Sequence, residues 1–197
     1  MKLSKLLIAG VGATALLAAS VSSASAGRLS FSATSASATW TTMTFSGGIG
    51  TVQCEVILNG TLHSRTMHKI RLSLMGYITA GNVTRCARGG ATILRETLPW
   101  HVRYESFGGT LPNITTVNTI VVGFALRIRE PTFGIECLLR STPEEPMTLQ
   151  YNLNGSRQLA SATVGGTIRC GGFSGSLSGT SSSIAEAGGA RVTVTLI

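Results

Sequence analysis

Apolar residues in this chain recur at every second position, in one segment after another. Val52, Cys54, Val56 and Leu58 alternate with Thr51, Gln53, Glu55 and Ile57. Ile70, Leu72 and Leu74 alternate with Arg71 and Ser73, and Trp100, Val102 and Tyr104 with His101, Arg103 and Glu105. The longest stripe, Ile120, Val122, Phe124, Leu126 and Ile128, reads as one strand over 117–130 with Arg127 and Arg129 on its other face. Met147, Leu149, Tyr151 and Leu153 form a further stripe. Side chains on a strand point alternately to its two faces, so a period of two means one buried and one wet face. No window beyond residue 26 shows a helical period. The expected fold is all-β and antiparallel: a β-sandwich first, a β-barrel second.

Punctuation between the stripes is consistent with that reading. Asn59-Gly60 and Asn154-Gly155 are strong hairpin signals. The Ser- and Thr-rich stretch 30–46 still alternates, through Leu29, Phe31, Ala33 and then Ala36, Ala38, Trp40, and reads as edge strands. Residues 178–189 read as a loop, and the alternating Arg191-Val192-Thr193-Val194-Thr195-Leu196-Ile197 as a closing strand.

The N-terminus is of a different kind. Lys2 and Lys5 precede an apolar run of about sixteen residues over 6–21, and Ala24-Ser25-Ala26 supplies a small-x-small cleavage pattern, so 1–26 is an expected secretory signal peptide. The run is broken by Gly10 and Gly12 and is short for a membrane span. No cysteine follows it before Cys54, so no lipid anchor is expected. Cleavage leaves one all-β domain over 27–197, secreted or envelope-associated, with no transmembrane helix expected; the short leader suits a bacterial source. Losing Lys2 and Lys5 takes the formal charge from +8 to +6. A basic exported protein is drawn to anionic polymers or headgroups. The arginines are scattered, without the interleaved aromatics of a nucleic-acid groove, and no nucleic-acid partner is expected.

Cys54, Cys86, Cys137 and Cys170 read as two disulfides, since an oxidising compartment permits them and no close C-x2-C pair points to zinc. Four cysteines allow three pairings. Cys86 follows Cys54 by 32 residues and Cys170 follows Cys137 by 33, and both second cysteines come directly after Arg and shortly before glycines. This resembles an internal duplication and favours Cys54 with Cys86 and Cys137 with Cys170.

Catalytic chemistry finds little support. The chain has no aspartate, which rules out a Ser-His-Asp triad, and neither G-x-S-x-G nor a dinucleotide or phosphate loop occurs. Glu96 and Glu105 flank Pro99-Trp100 and are the candidate pair for a glycan hydrolase, but Glu105 shares a face with His101 and Arg103. Glu144-Glu145, between Pro143 and Pro146, reads as an exposed turn. His63, His68 and His101 are too scattered to hold a metal, and no calcium loop is present. No catalytic residue, metal or cofactor is expected. Four sequons, at Asn59, Asn82, Asn113 and Asn154, are explained equally by strand and turn chemistry.

Thr97-Leu98-Pro99-Trp100-His101-Val102, Phe107, Gly109-Thr110-Leu111-Pro112-Asn113-Ile114 and the closing Val192-Thr193-Val194-Thr195-Leu196-Ile197 resemble a pattern found in secreted β-proteins of high-GC actinobacteria. The resemblance implies export and an all-β fold and brings no site residue with it. The functional expectation is a non-enzymatic extracellular or envelope-associated binding or structural domain. Its candidate partners are anionic envelope polymers, met by an Arg103, Arg127 and Arg129 face, or an extracellular protein. The alternatives are the Glu-pair hydrolase and an enzyme inhibitor presenting a rigid loop at 108–113.

Overall fold

Hydrogen bonding between strands decides how the alternating segments assemble. The computed structural model describes residues 27–197 apart from Ile49, Phe133 and Gly171, and the backbone alone of Ile168 and Cys170. The expected signal peptide therefore lies outside the described residues. Those residues contain no α-helix. Their strands are β1 (Arg28–Phe31), β2 (Ser35–Gly47), β3 (Gly50–Leu62), β4 (Thr66–His68), β5 (Leu74–Ala87), β6 (Gly90–Ile93), β7 (Trp100–Thr110) and β8 (Asn113–Val122). There follow β9 (Ala125–Glu130), β10 (Ile135–Arg140), β11 (Met147–Leu153), β12 (Leu159–Cys170), β13 (Phe173–Thr180), β14 (Ser183–Ala185) and β15 (Val194–Leu196).

The main sheet runs β13-β12-β11-β8-β7-β5-β3-β2-β14, and β13 also pairs with β2. That last ladder closes a ring of eight strands, each antiparallel to its neighbours and met in chain order. The expected sandwich of two separate sheets is thus corrected to the second choice, a barrel. Residues 173–185 make the closure, although 178–189 was expected to be a loop. Gly47 stands opposite Gly175 and Thr39 opposite Ser183 in one unbroken register. Ladder bonds are made by the backbone, so a Ser- and Gly-rich segment pairs once strands on both sides fix it.

Inside the ring lie Trp40, Met43 and Phe45 of β2, Val52, Val56 and Leu58 of β3, Trp100, Val102 and Tyr104 of β7, and Val117, Thr119 and Val121 of β8. The β2 run changes phase because a bulge between Trp40 and Met43 lets both side chains point inward. Thr119, buried among apolar neighbours, donates its hydroxyl proton to the Leu149 carbonyl at 2.7 Å.

Each end of the ring is covered by a small sheet. β4 leaves where β3 ends and joins β1 and β15; β6 leaves at the opposite end, where β5 ends, and joins β9 and β10. This breaks the stripe expected over 117–130. Gly123, at φ +87°, ends β8, and β9 resumes in the other sheet. The inward residues of β8 are accordingly Val117, Thr119 and Val121, while Leu126 and Ile128 fill the barrel end. Asn59-Gly60 is likewise not a turn: β3 passes straight through it, with a bulge against β5. Asn154-Gly155 does turn, its Asn154 side-chain oxygen accepting from the Ser156 and Gln158 amides.

The Cys54–Cys86 bridge forms as expected, between residues directly opposite on β3 and β5. Cys137 is buried on β10 and is not a free thiol, while the Cys170 side chain lies outside the described ones. The duplication argument does not survive the topology. Cys54 and Cys86 sit on neighbouring strands of one sheet, whereas Cys137 and Cys170 belong to different sheets.

Candidate functional site

Where the inward side chains are small, the barrel does not fill. Ala36 and Ala38 of β2 stand directly across from Gly60 and Leu58 of β3, so three of these four positions carry only a methyl group or no side chain at all. At that end, under the β1–β4–β15 sheet, a partly enclosed cavity of about 90 Å³ remains. Phe31 and Val192 roof it; Trp40, Leu58, Ile78, Val102, Val117 and Leu149 wall it. Thr34, Ser35, Thr61, Tyr77 and Tyr151 are the residues of its lining that carry polar side chains, whichever way these point, and no charged residue lines it. The volume is below the roughly 150 Å³ of an apolar cavity that takes up benzene, so one small ring reaching toward the mouth is the scale that fits.

Tyr151 gives the cavity its inward-pointing phenol. Burial pushes its pKa up to about 12, which leaves it a neutral hydroxyl through the physiological range. Tyr77 points the other way, its ring 5.4 Å from that of exposed His101 on the outer face. A second cavity, of about 30 Å³, lies at the opposite end beside Gly50, Ile128 and Glu130, and has room for water at most.

The expected basic face is brought together only in part. Arg127 and Arg129 project from one exposed face of β9, and Glu136 of β10 stands opposite Arg129. Arg103 is exposed on β7 of the barrel, between Leu74 and Ile120, and belongs to a different sheet. The three therefore do not share one row. Of the candidate carboxylate pair, Glu105 engages Arg71 at 3.7 Å and Glu96 is exposed on a single 3-10 turn, Arg95–Thr97. Glu144 and Glu145 are exposed, and Glu145 pairs with Arg169. His63, His68 and His101 are all exposed, and no cluster of three metal-ligating side chains occurs among the described residues. The loop at 108–113 is the tip of the β7–β8 hairpin, with Leu111 47% exposed. All four sequon asparagines are exposed.

The Thr97-Leu98-Pro99-Trp100 phrase does structural work. Trp100 donates its indole proton to Thr97 Oγ1 at 2.8 Å, the Thr97 hydroxyl donates to the Leu94 carbonyl at 2.7 Å, and the indole meets Phe124 edge-on at 4.7 Å. This pins the connection from β6 into β7.

The cavity residues were not singled out from sequence. The available signal was Ala36 and Ala38 at positions where a filled core needs larger side chains, and it becomes meaningful only once closure puts β2 opposite β8 and β11. Comparison of the chain with family models, with curated proteins and with solved structures returns no match.

Proposed function

We propose that this chain is an exported, non-enzymatic binding domain that holds a small, uncharged, largely apolar molecule at one mouth of its barrel. The observation that carries this reading is the apolar cavity of about 90 Å³ with no charged residue in its lining. Barrels of eight strands are just wide enough to be filled by side chains or to hold one small ligand. Here small inward residues leave the second option open. An uncharged lining disfavours ions, because a charge taken out of water there meets no partner. Tyr151 supplies a hydroxyl for one oxygen or nitrogen of the ligand. Export, a secreted or envelope location and a Cys137–Cys170 bridge complete the reading; the Cys54–Cys86 bridge, and the absence among the described residues of any helix able to cross a membrane, are compatible with it.

Trp40 makes the test direct, since it lines the cavity while Trp100 lies outside the lining. Titration with toluene and cresol should raise the thermal midpoint and perturb Trp40 emission; benzoate and benzylamine should do neither. Ala38→Leu, which fills the cavity, should abolish the effect. The reading fails if no neutral compound shifts the midpoint of the parent, or if the charged pair shifts it as much.

A further inference from the structure

The segment between β4 and β5 departs most from its sequence pattern. Ile70 and Leu72 alternate as a buried stripe should, yet they are 63% and 47% exposed. The loop is nevertheless held firmly. Leu72 donates its amide proton to the Tyr104 carbonyl at 2.6 Å, Ser73 to Ile70 at 3.0 Å, and Tyr104 to Ser73 at 2.9 Å. Leu72 sits at φ +65°, a left-handed conformation that suits glycine and is unfavourable for leucine. Two apolar side chains are thus displayed to solvent on an ordered turn, one at a conformational cost. Strain of this kind is the sort of outlier from which a functional hypothesis properly starts.

Cations interleave with them. The order is Lys69-Ile70-Arg71-Leu72, and the neighbouring strand places Arg28 directly across from His68. Lys69 extends its ammonium to 5.1 Å from the Phe107 ring, and the Arg71 side chain is 73% exposed although it reaches Glu105. Two adjacent apolar side chains make far too small a patch for a stable protein interface, which takes roughly 800 Å² from each partner. They suit shallow insertion at a lipid surface, where apolar tips enter the acyl boundary and basic side chains stay among anionic headgroups. We infer that the 69–72 turn, flanked by Arg28, is a docking point for an anionic lipid bilayer. The inference stands independently of the cavity and of its ligand.

The test is flotation of the full chain with vesicles of phosphatidylcholine alone and with 30% phosphatidylglycerol, reading the part of the binding that depends on the anionic lipid; any contribution of residues 1–26 is common to parent and variants. The parent should partition about tenfold more onto the anionic vesicles. Ile70→Ser with Leu72→Gly should lower that partition at least fivefold while leaving the thermal midpoint unchanged or higher, because glycine takes the left-handed position without penalty. Lys69→Gln with Arg71→Gln, a second route to the same loss, should do likewise. Arg127→Gln with Arg129→Gln removes the same charge from a different sheet and should bind as the parent does.

Four results would overturn the inference. The parent shows no preference for anionic vesicles; the apolar variant binds as well as the parent; the Arg127 and Arg129 variant loses as much, which would mean diffuse charge attraction; or the parent is a dimer in solution and the apolar variant a monomer, which would make a second copy the occupant.

Discussion

Burial of the Tyr151 phenol has a consequence for stability that pH can read. In the folded protein its pKa is raised to about 12, whereas the unfolded chain ionises near 10. Below pH 10 both states hold the proton and nothing is lost. Between pH 10 and 12 the unfolded state releases it first, so stability should fall across that window and level off above it. The ring keeps some exposure, so the effect should stay within about 2 kcal/mol. Thermal midpoints measured from pH 9 to 12 should show the parent falling relative to Tyr151→Phe as pH rises; parallel curves would refute it. The alternation of Met147, Leu149 and Tyr151 was legible in the sequence, and so was the inward direction of the phenol. Its place in a cavity was not, because the space depends on Ala38 across the barrel.

At the scale of the element, closure between β13 and β2 rests on two facing glycines. A Cβ on Gly175 would come within 2.2 Å of the Ser46 carbonyl oxygen and 2.9 Å of Gly47 Cα, backbone atoms that cannot swing aside. Gly175→Ala should therefore cost about 1–3 kcal/mol by forcing the closing ladder apart. Gly155→Ala, where an added Cβ meets nothing within 4 Å, should be close to neutral. Equilibrium denaturation of both variants decides it, and equal midpoints would argue that the ring is not closed through this ladder. Composition hid these elements: serine and glycine over 173–185 resemble a loop because strand propensity measures side-chain packing, whereas backbone pairing holds β13 on both edges and β14 against β2.

For the whole molecule, the Cys54–Cys86 bridge ties neighbouring staves of the barrel across a separation of 32 residues. In the chain-entropy view its loss costs about 3–4 kcal/mol. Cys54→Ala with Cys86→Ala should lower the thermal midpoint by about 10 °C, read by circular dichroism. A change of only a degree or two would show that the ring holds its register without the bridge. Mapping of unreduced peptides should also recover Cys137 joined to Cys170, and intact mass should place the N-terminus of the exported protein at Gly27. Retention of 1–26, or Cys137 joined elsewhere, would remove the corresponding part of the proposal.

Period-two alternation is a local property of the chain, so the sequence alone determined that the fold is all-β, where most strands run and which face of β3 or β7 is buried. It also pointed to the Cys54–Cys86 pair. Tertiary structure alone decided what depends on register and closure. A bulge reverses the inward face within β2, a glycine at positive φ hands the 120–128 stripe from the barrel to the sheet that stops its end, and pairing of β13 with β2 turns a sheet into a ring. The cavity and the exposed Ile70 and Leu72 follow from the same cause. Whether an apolar side chain is covered is settled by which other strand arrives over it, and that partner is set by pairings far apart in sequence.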